Sequence, residues 1–221
     1  MKKTTAPLFA LILLLAAACV PGGVPPEATG SIGRPNEGRL IDGVQLPSGD
    51  EIIVLEPDKA WGTPELVQII EMSALSMRLA YPDTVPMVVG HLSARNGGPL
   101  RPHKSHQSGR DFDVAMYAKN NKLIRGFKRM DRGALDIDKT WFFIETLLET
   151  GKIQYVLLDW KIQKMIYEEI KIAVPKQKLD VYFQYPRSRG VRKGVIRHSP
   201  GHSNHLHVRI HCPEDDRYCI D

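Results

Sequence analysis

Two segments far apart in the chain limit what it can fold into: residues 111–116, DFDVAM, and residues 205–210, HLHVRI. In the first, Phe112, Val114 and Met116 alternate with Asp111 and Asp113. In the second, Leu206, Val208 and Ile210 alternate with His205, His207 and Arg209. A period of two is the signature of a strand with an apolar back and a polar front. If the two strands are neighbours in one sheet, Asp113 and His207 converge on the same front.

A third group stands ready to join them. His106 lies on a loop, PHKSHQSGR, that leads into the first strand, and Gly109 removes the steric obstacle to folding that loop back over the front. A tripod of His106, Asp113 and His207 with a vacant fourth position for water is the arrangement of a catalytic zinc site, with one ion per chain. Alone, H-x-H or D-x-D reads as an ordinary polar strand face. Two such strands in phase, with a further ligand between them, point to a metal site instead. Closed structural zinc sites usually recruit cysteine, and both C-terminal cysteines sit in a spacing better suited to a small disulfide loop. A two-histidine, one-carboxylate iron oxygenase shares the ligand set, but its usual H-x-D or H-x-E start is missing here. Asp111, on the same face as Asp113, reads equally as a carboxylate that orients a histidine or as a structural one.

Around these strands the spacing predicts a helix capped by Thr63, with Pro64 in its first turn and Leu66, Ile69, Ile70 and Leu75 on its buried face. VPMVVGHLSA and IQYVLLDW read as strands, and DKTWFFIETLLETGK as a helix begun by Asp138 and closed by Gly151. KIQKMIYEEIKIA has helical spacing, in a segment that ends at Pro175. The few strands do not alternate regularly with helices. The expected class is α+β, a small antiparallel sheet bearing the metal site and flanked by helices.

The first residues, MKKTTAPLFALILLLAAAC, have a basic start, an apolar run and small residues before Cys19, the layout of a secretory signal. Ala16-Ala17-Ala18 suits ordinary cleavage, yet the cut falls directly before a cysteine, where bacterial lipoproteins are acylated. With only Cys19, Cys212 and Cys219 in the chain, lipidation of the first leaves an even pair for a disulfide in an oxidising compartment. Lipidation of Cys19 is therefore the expected outcome, giving membrane attachment through a lipid anchor. The Pro- and Gly-rich stretch that follows reads as a tether. Val20 is not the aspartate that commonly retains lipoproteins in the inner membrane, so outer-membrane residence is expected. The formal charge of +5 is concentrated in RSRGVRKGVIR at 187–197, read as a solvated loop in preference to a contact for an anionic polymer. Nucleic acid is not an expected partner outside the cell.

SHQSGRDFD followed by GHSNHLHVRIHCP resembles the penicillin-insensitive murein endopeptidases, within the wider group of lysostaphin, D-Ala-D-Ala and hedgehog-type metallopeptidases. That group is marked by H-x6-D and a distal H-x-H. The resemblance covers about residues 85–213. It implies that His106, Asp113 and His207 bind zinc, that His205 is the catalytic base, and that His103 and His202 are catalytic-site histidines beside the metal. Arg95 falls where related peptidases have a substrate-binding arginine, although SARNGG matches only loosely. The resemblance also leaves Cys212 and Cys219 as the one bridge this chain can form. The domains expected are a signal peptide at 1–18, a flexible tether at 19–38 and a zinc peptidase domain at 39–221.

What the resemblance implies is a periplasmic zinc endopeptidase acting on peptidoglycan cross-bridges at the D-Ala to meso-diaminopimelate bond. A D-Ala-D-Ala carboxypeptidase or stem-peptide amidase on the same scaffold is the nearest alternative. A non-catalytic, zinc-containing wall-binding module is another, and the retained His205 weighs against it.

Overall fold

The structure is a computed structural model that describes residues 29–221. The signal peptide, Cys19 and the first part of the tether lie outside the described residues. Among the described residues no helix is long and apolar enough to cross a membrane.

A hairpin opens the described chain: β1 (Gly30–Arg34) pairs antiparallel with β2 (Glu37–Ile41). This departs from the reading of 19–38 as a tether with the domain starting at 39. The segment has the Gly, Pro and Asn content of a linker, and its order comes from partners distant in sequence. The Gly33 amide donates to the Tyr218 carbonyl, the Ile220 amide donates to the Gly33 carbonyl, and the Ser31 amide donates to the Asp216 carboxylate at 2.7 Å. The Pro35 carbonyl also accepts from the Gln107 amide, so the hairpin braces the loop that carries His106. Next come β3 (Val44–Gln45), β4 (Ile52–Val54) and β5 (Trp61–Gly62), with β3 paired to β5.

Helix α1 (Pro64–Ala80) starts as expected, the Thr63 hydroxyl accepting from the Leu66 amide. Leu66, Ile69 and Ile70 are buried, but Leu75 is 44% exposed and the stripe continues instead through Ala74 and Met77. At about 100° per residue, Leu75 falls on the side opposite Leu66. Strand β6 (Met87–Val89) and strand β7 (Asp111–Val114) follow, then α2 (Ile137–Glu149). The α2 cap is Asp136, whose carboxylate accepts from the Lys139 amide, where Asp138 was expected. Strand β8 (Ile153–Leu158), α3 (Trp160–Ile170) capped by Asp159, α4 (Lys176–Tyr182), β9 (Ile196–His198) and β10 (Leu206–Ile210) complete the chain.

The main sheet runs in the order β4-β6-β7-β10-β8-β9. Its centre, β6 to β8, is antiparallel, as expected for this α+β fold, while the outer pairs β4–β6 and β8–β9 are parallel. Phe112, Val114, Leu206, Val208 and Ile210 point into one core shared with the apolar faces of α1, α2 and α3. Each of the five is fully buried, so β7 and β10 cannot slip by one residue without turning that set out to solvent. After β10, Cys212 and Cys219 are disulfide-bonded.

Candidate metal centre

Register brings the two alternating segments together as the sequence predicts. His207 is the direct cross-strand partner of Asp113, and Arg209 that of Asp111. His207 Nδ1 lies 3.0 Å from Asp113 Oδ1, and its Nε2 lies 3.0 Å from Asp111 Oδ1. Asp111 thus grips the far side of the His207 ring, which leaves Nδ1 turned toward Asp113. Asp111 is itself held by Arg209 Nε at 2.6 Å and accepts from the His106 amide at 3.0 Å.

His106 arrives from the loop in a left-handed backbone conformation, φ +66°, uncommon for a residue with a side chain. Gly109, also left-handed, closes the turn, and a Cβ there would lie 2.7 Å from the buried Leu40 side chain. The loop therefore needs glycine at 109 both for its turn and for its close seat on Leu40. His106 Nδ1 donates to the Leu92 carbonyl at 2.6 Å, so the lone pair of the neutral ring is on Nε2. That Nε2 lies 3.1 Å from His207 Nδ1 and 3.5 Å from Asp113 Oδ1.

The three residues of the predicted tripod are therefore in one cluster, and a fourth donor joins it. His103, His106 and Asp113 offer ligand atoms that all lie within 4.8 Å of one another. His103 Nδ1 is 3.7 Å from Asp113 Oδ2. One carboxylate and up to three imidazoles, with the His106 tautomer set by a backbone carbonyl, fit a divalent first-row ion such as zinc.

Electrostatics differ sharply among the histidines. Burial opposes a charge on His207, but hydrogen bonds and proximity to Asp111 and Asp113 outweigh it and push the group up to about 9. Burial also opposes charge on the two carboxylates, and here too it loses: His207 and Arg209 hold Asp111, and His106 and His207 hold Asp113, well below the usual carboxylate range. His103 and His205 are each pushed down to about 4, chiefly by burial. Both are neutral at pH 7.

His205 Nδ1 faces Asn204 Oδ1 at 2.7 Å, and its Nε2 lies 3.7 Å from Asp113 Oδ1. Its ring stacks on Phe127, centroids 4.8 Å apart. His202 lies behind, its ring 4.8 Å from that of His205 and 5.9 Å from that of His207. Arg95 is not brought to this cluster. It is exposed, stacks over Trp61 at 5.3 Å, and does not line the cavity in front of the histidines. That cavity, of about 300 Å³, is bordered by Glu56, His91, His103, Phe127 and His205.

Three of its border residues were not anticipated. His91 Nδ1 lies 2.7 Å from His103 Nε2, and His91 Nε2 lies 2.6 Å from Glu56 Oε1, so Glu56 and His91 form a chain that ends on His103. Lys59 and His91 pull the Glu56 carboxyl down to about 2. Phe127 reaches its place over Gly90, where a Cβ would lie 2.6 Å from the ring. All three come from turns or loops: β6 stops at Val89, short of the strand read through VPMVVGHLSA, which leaves His91 on a loop, and the histidines from 91 onward were the only signal for any of the three.

The sequence profile of the penicillin-insensitive murein endopeptidases matches residues 31–149, which include His103, His106 and Asp113. The chain belongs to that family. A relative from Haemophilus influenzae, named penicillin-insensitive murein endopeptidase, is 28% identical over 85% of this chain and 65% of its own length. Relatives of the same name from Yersinia enterocolitica and Escherichia coli are each 25% identical over the whole of this chain and 82% of their own. The chain thus spans a little under two thirds of the Haemophilus protein.

Proposed function

We propose that this domain is a zinc-dependent endopeptidase that hydrolyses amide bonds in murein cross-bridges, with the D-Ala to meso-diaminopimelate linkage as its target. One observation carries the reading: the cross-strand pair of Asp113 and His207, with His106 Nε2 alongside and the neutral His205 ring at its edge. His106 through Nε2, Asp113 through its carboxylate and His207 through Nδ1 would hold the ion. When bound, zinc supplies Lewis-acid polarisation of a carbonyl and lowers the pKa of a coordinated water to about 7.

The remaining steps belong to side chains of this chain. His205 is neutral at pH 7, and with its Nδ1–H donating a hydrogen bond to Asn204 Oδ1 its Nε2 is free to accept a proton from the attacking water. The same nitrogen then returns the proton to the leaving amine, so the ring ends the cycle as it began. Phe127, stacked on the ring, restrains its orientation. Asp111 fixes the orientation of His207 through Nε2, leaving Nδ1 for the ion. His103, tied to His91, and His202 border the reacting centre as neutral donors or acceptors for the substrate amide.

Export and acylation of Cys19 are part of the proposal, placing the enzyme in the periplasm at the outer membrane, where murein is within reach of a tethered domain. The test is digestion of purified sacculi by zinc-loaded protein, with products identified by mass. Conversion of cross-linked dimers to monomers is expected. Loss of only a terminal D-Ala would instead make the protein a carboxypeptidase, release of stem peptides from glycan an amidase, and binding without cleavage a wall-binding module.

A further inference from the structure

The basic run at 187–197, read from sequence as a solvated loop, is folded around a cavity. Gln184, 1% exposed, organises it: its side-chain nitrogen donates to the Arg189 carbonyl at 2.9 Å, and its side-chain oxygen accepts from the His198 amide at 2.6 Å. Arg187 is turned back into the scaffold, donating to the Phe183 and Asp180 carbonyls. Arg189, Arg192 and Arg197 instead line a cavity of about 440 Å³ together with Tyr155, Leu157 and His198.

No carboxylate lines this cavity, and among the described residues none of the three guanidinium groups is paired with one. Two of them are already restrained. Arg189 lies over the Trp160 ring at 5.6 Å, and Arg197 lies over Tyr155 at 5.5 Å while its Nε donates to the Gly194 carbonyl. Guanidinium groups parked on aromatic faces lose less freedom when an anion arrives, and their planar forks match a carboxylate.

The cavity adjoins the metal centre. Leu157 is the cross-strand partner of His207, and the Tyr155 ring is stacked on that of His207 at 6.2 Å. In the sheet order, the cavity bordered by Glu56 and Phe127 lies over β6 and β7, and the arginine cavity lies over β8 and β9. Strand β10, with His205 and His207, runs between them. A peptide laid across β10 with its amide at Asp113 and His207 reaches one cavity on each side. One end is bordered by a carboxylate and an aromatic ring, the other by three unpaired cations.

We infer that the arginine cavity is a subsite for a free carboxylate of the peptide on one side of the scissile amide, and so a determinant of which cross-linked peptides are accepted. This rests on the endopeptidase reading above. Murein peptides carry free carboxylates, so the substrate itself supplies the anion.

The test uses zinc-loaded full-length protein and its Arg189→Gln/Arg192→Gln double variant, both changes lying on exposed loop positions. Each is given a soluble cross-linked muropeptide dimer with free carboxylates and the same dimer with its carboxylates amidated. Wild-type kcat/KM should fall about 10- to 100-fold on amidation, as for loss of a charge-assisted hydrogen bond. The variant should show the same loss on the free-carboxylate dimer, borne by KM, and no further loss on the amidated one. Calorimetry with an uncross-linked stem peptide gives a readout independent of turnover: binding should weaken about tenfold or more in the variant, or on amidation of the peptide. Equal treatment of both dimers by the wild type, or equal losses by the variant on both, would overturn the subsite. So would arginine-dependent binding to anionic lipid vesicles with peptide binding unchanged. Should the wild type cleave neither dimer, the endopeptidase reading fails, and the calorimetry alone decides the subsite.

Discussion

Asp113 and His207 are direct partners across the β7–β10 ladder, their side chains 3.0 Å apart, and the ring nitrogen that faces Asp113 is the one the proposed metal site would use. In the metal-free protein that nitrogen carries a proton at pH 7, because the group is raised to about 9. Metal and proton therefore compete for one atom.

The first prediction follows from that competition. Binding of zinc to metal-free protein at pH 7 should release about one proton per ion, measured by calorimetry in buffers of different ionisation enthalpy. The apparent affinity should rise about tenfold per pH unit up to about 9. His207, with a folded value raised above that of the unfolded chain, stabilises the metal-free protein fully below pH 6.5, and that contribution is lost as pH rises through 9. Asp111 and Asp113, both lowered, add stability above about pH 4 that is lost on acidification. Metal-free protein should accordingly show lower denaturant midpoints at pH 9.5 than at 6.5, and the zinc-loaded protein should not. No proton release would remove His207 from the ligand set.

The strands of the candidate site were legible because alternation in both segments has only one phase that buries Phe112, Val114, Leu206 and Val208 together. The 30–41 hairpin was not, because a stretch with the composition of a linker is ordered there by backbone bonds to Tyr218 and Ile220 and by the Asp216 carboxylate, all at the other end of the chain. Glu56 and Phe127 were hidden for a related reason, since each is placed by a loop and loops carry no period to read; His91 was hidden because the strand read through it ends at Val89. Leu75 was misread because apolar character alone was allowed to stand for position on the helix. The arginines of 187–197 were taken as solvated because nothing in the sequence marks Gln184, only five residues before Arg189, as a buried side chain that folds their loop.

A second prediction concerns Asp111. Asp111→Asn keeps the shape but replaces a two-oxygen anion that holds His207 Nε2, Arg209 and the His106 amide with a group that offers one acceptor. Zinc affinity should fall about 10- to 100-fold, as for loss of other partners behind a ligand. Competition with a chromophoric chelator measures it, and an unchanged affinity would make Asp111 purely structural.

The two readings of helix α1 make opposite claims about stability. Met77, 1% exposed, lies on the buried stripe, whereas Leu75 is 44% exposed. Met77→Ala should cost about 2–5 kcal/mol in urea unfolding. Leu75→Ala should change stability by no more than about 0.5 kcal/mol. A reversal would put the helix in a different rotation from the one described.

The final prediction separates ligands from the base, on which the mechanism turns. His106 and Asp113 are flanked by two further donors, His103 on one side and His207 on the other, and a three-ligand zinc site needs three of the four. His103 is the weaker candidate against His207, since its Nε2 is engaged by His91 and its Nδ1 stands 3.7 Å from Asp113, whereas His207 Nδ1 lies 3.0 Å from Asp113 and 3.1 Å from His106 Nε2. His205 is set apart by its Asn204 bond and its stack on Phe127. His106→Ala, Asp113→Ala and His207→Ala should therefore lose zinc and activity together. His205→Ala should keep close to one zinc per chain and cleave muropeptide dimers at least about 10²-fold more slowly. His103→Ala should also keep its zinc, with a smaller loss of turnover shared by His91→Ala, because His91 acts through His103. Elemental analysis beside turnover on the same preparations decides among these. Zinc lost from His103→Ala but kept by His207→Ala would make the tripod His103, His106 and Asp113, with His207 as the charged neighbour behind it. Full activity in His205→Ala would move the proton-transfer role to His202 or His103.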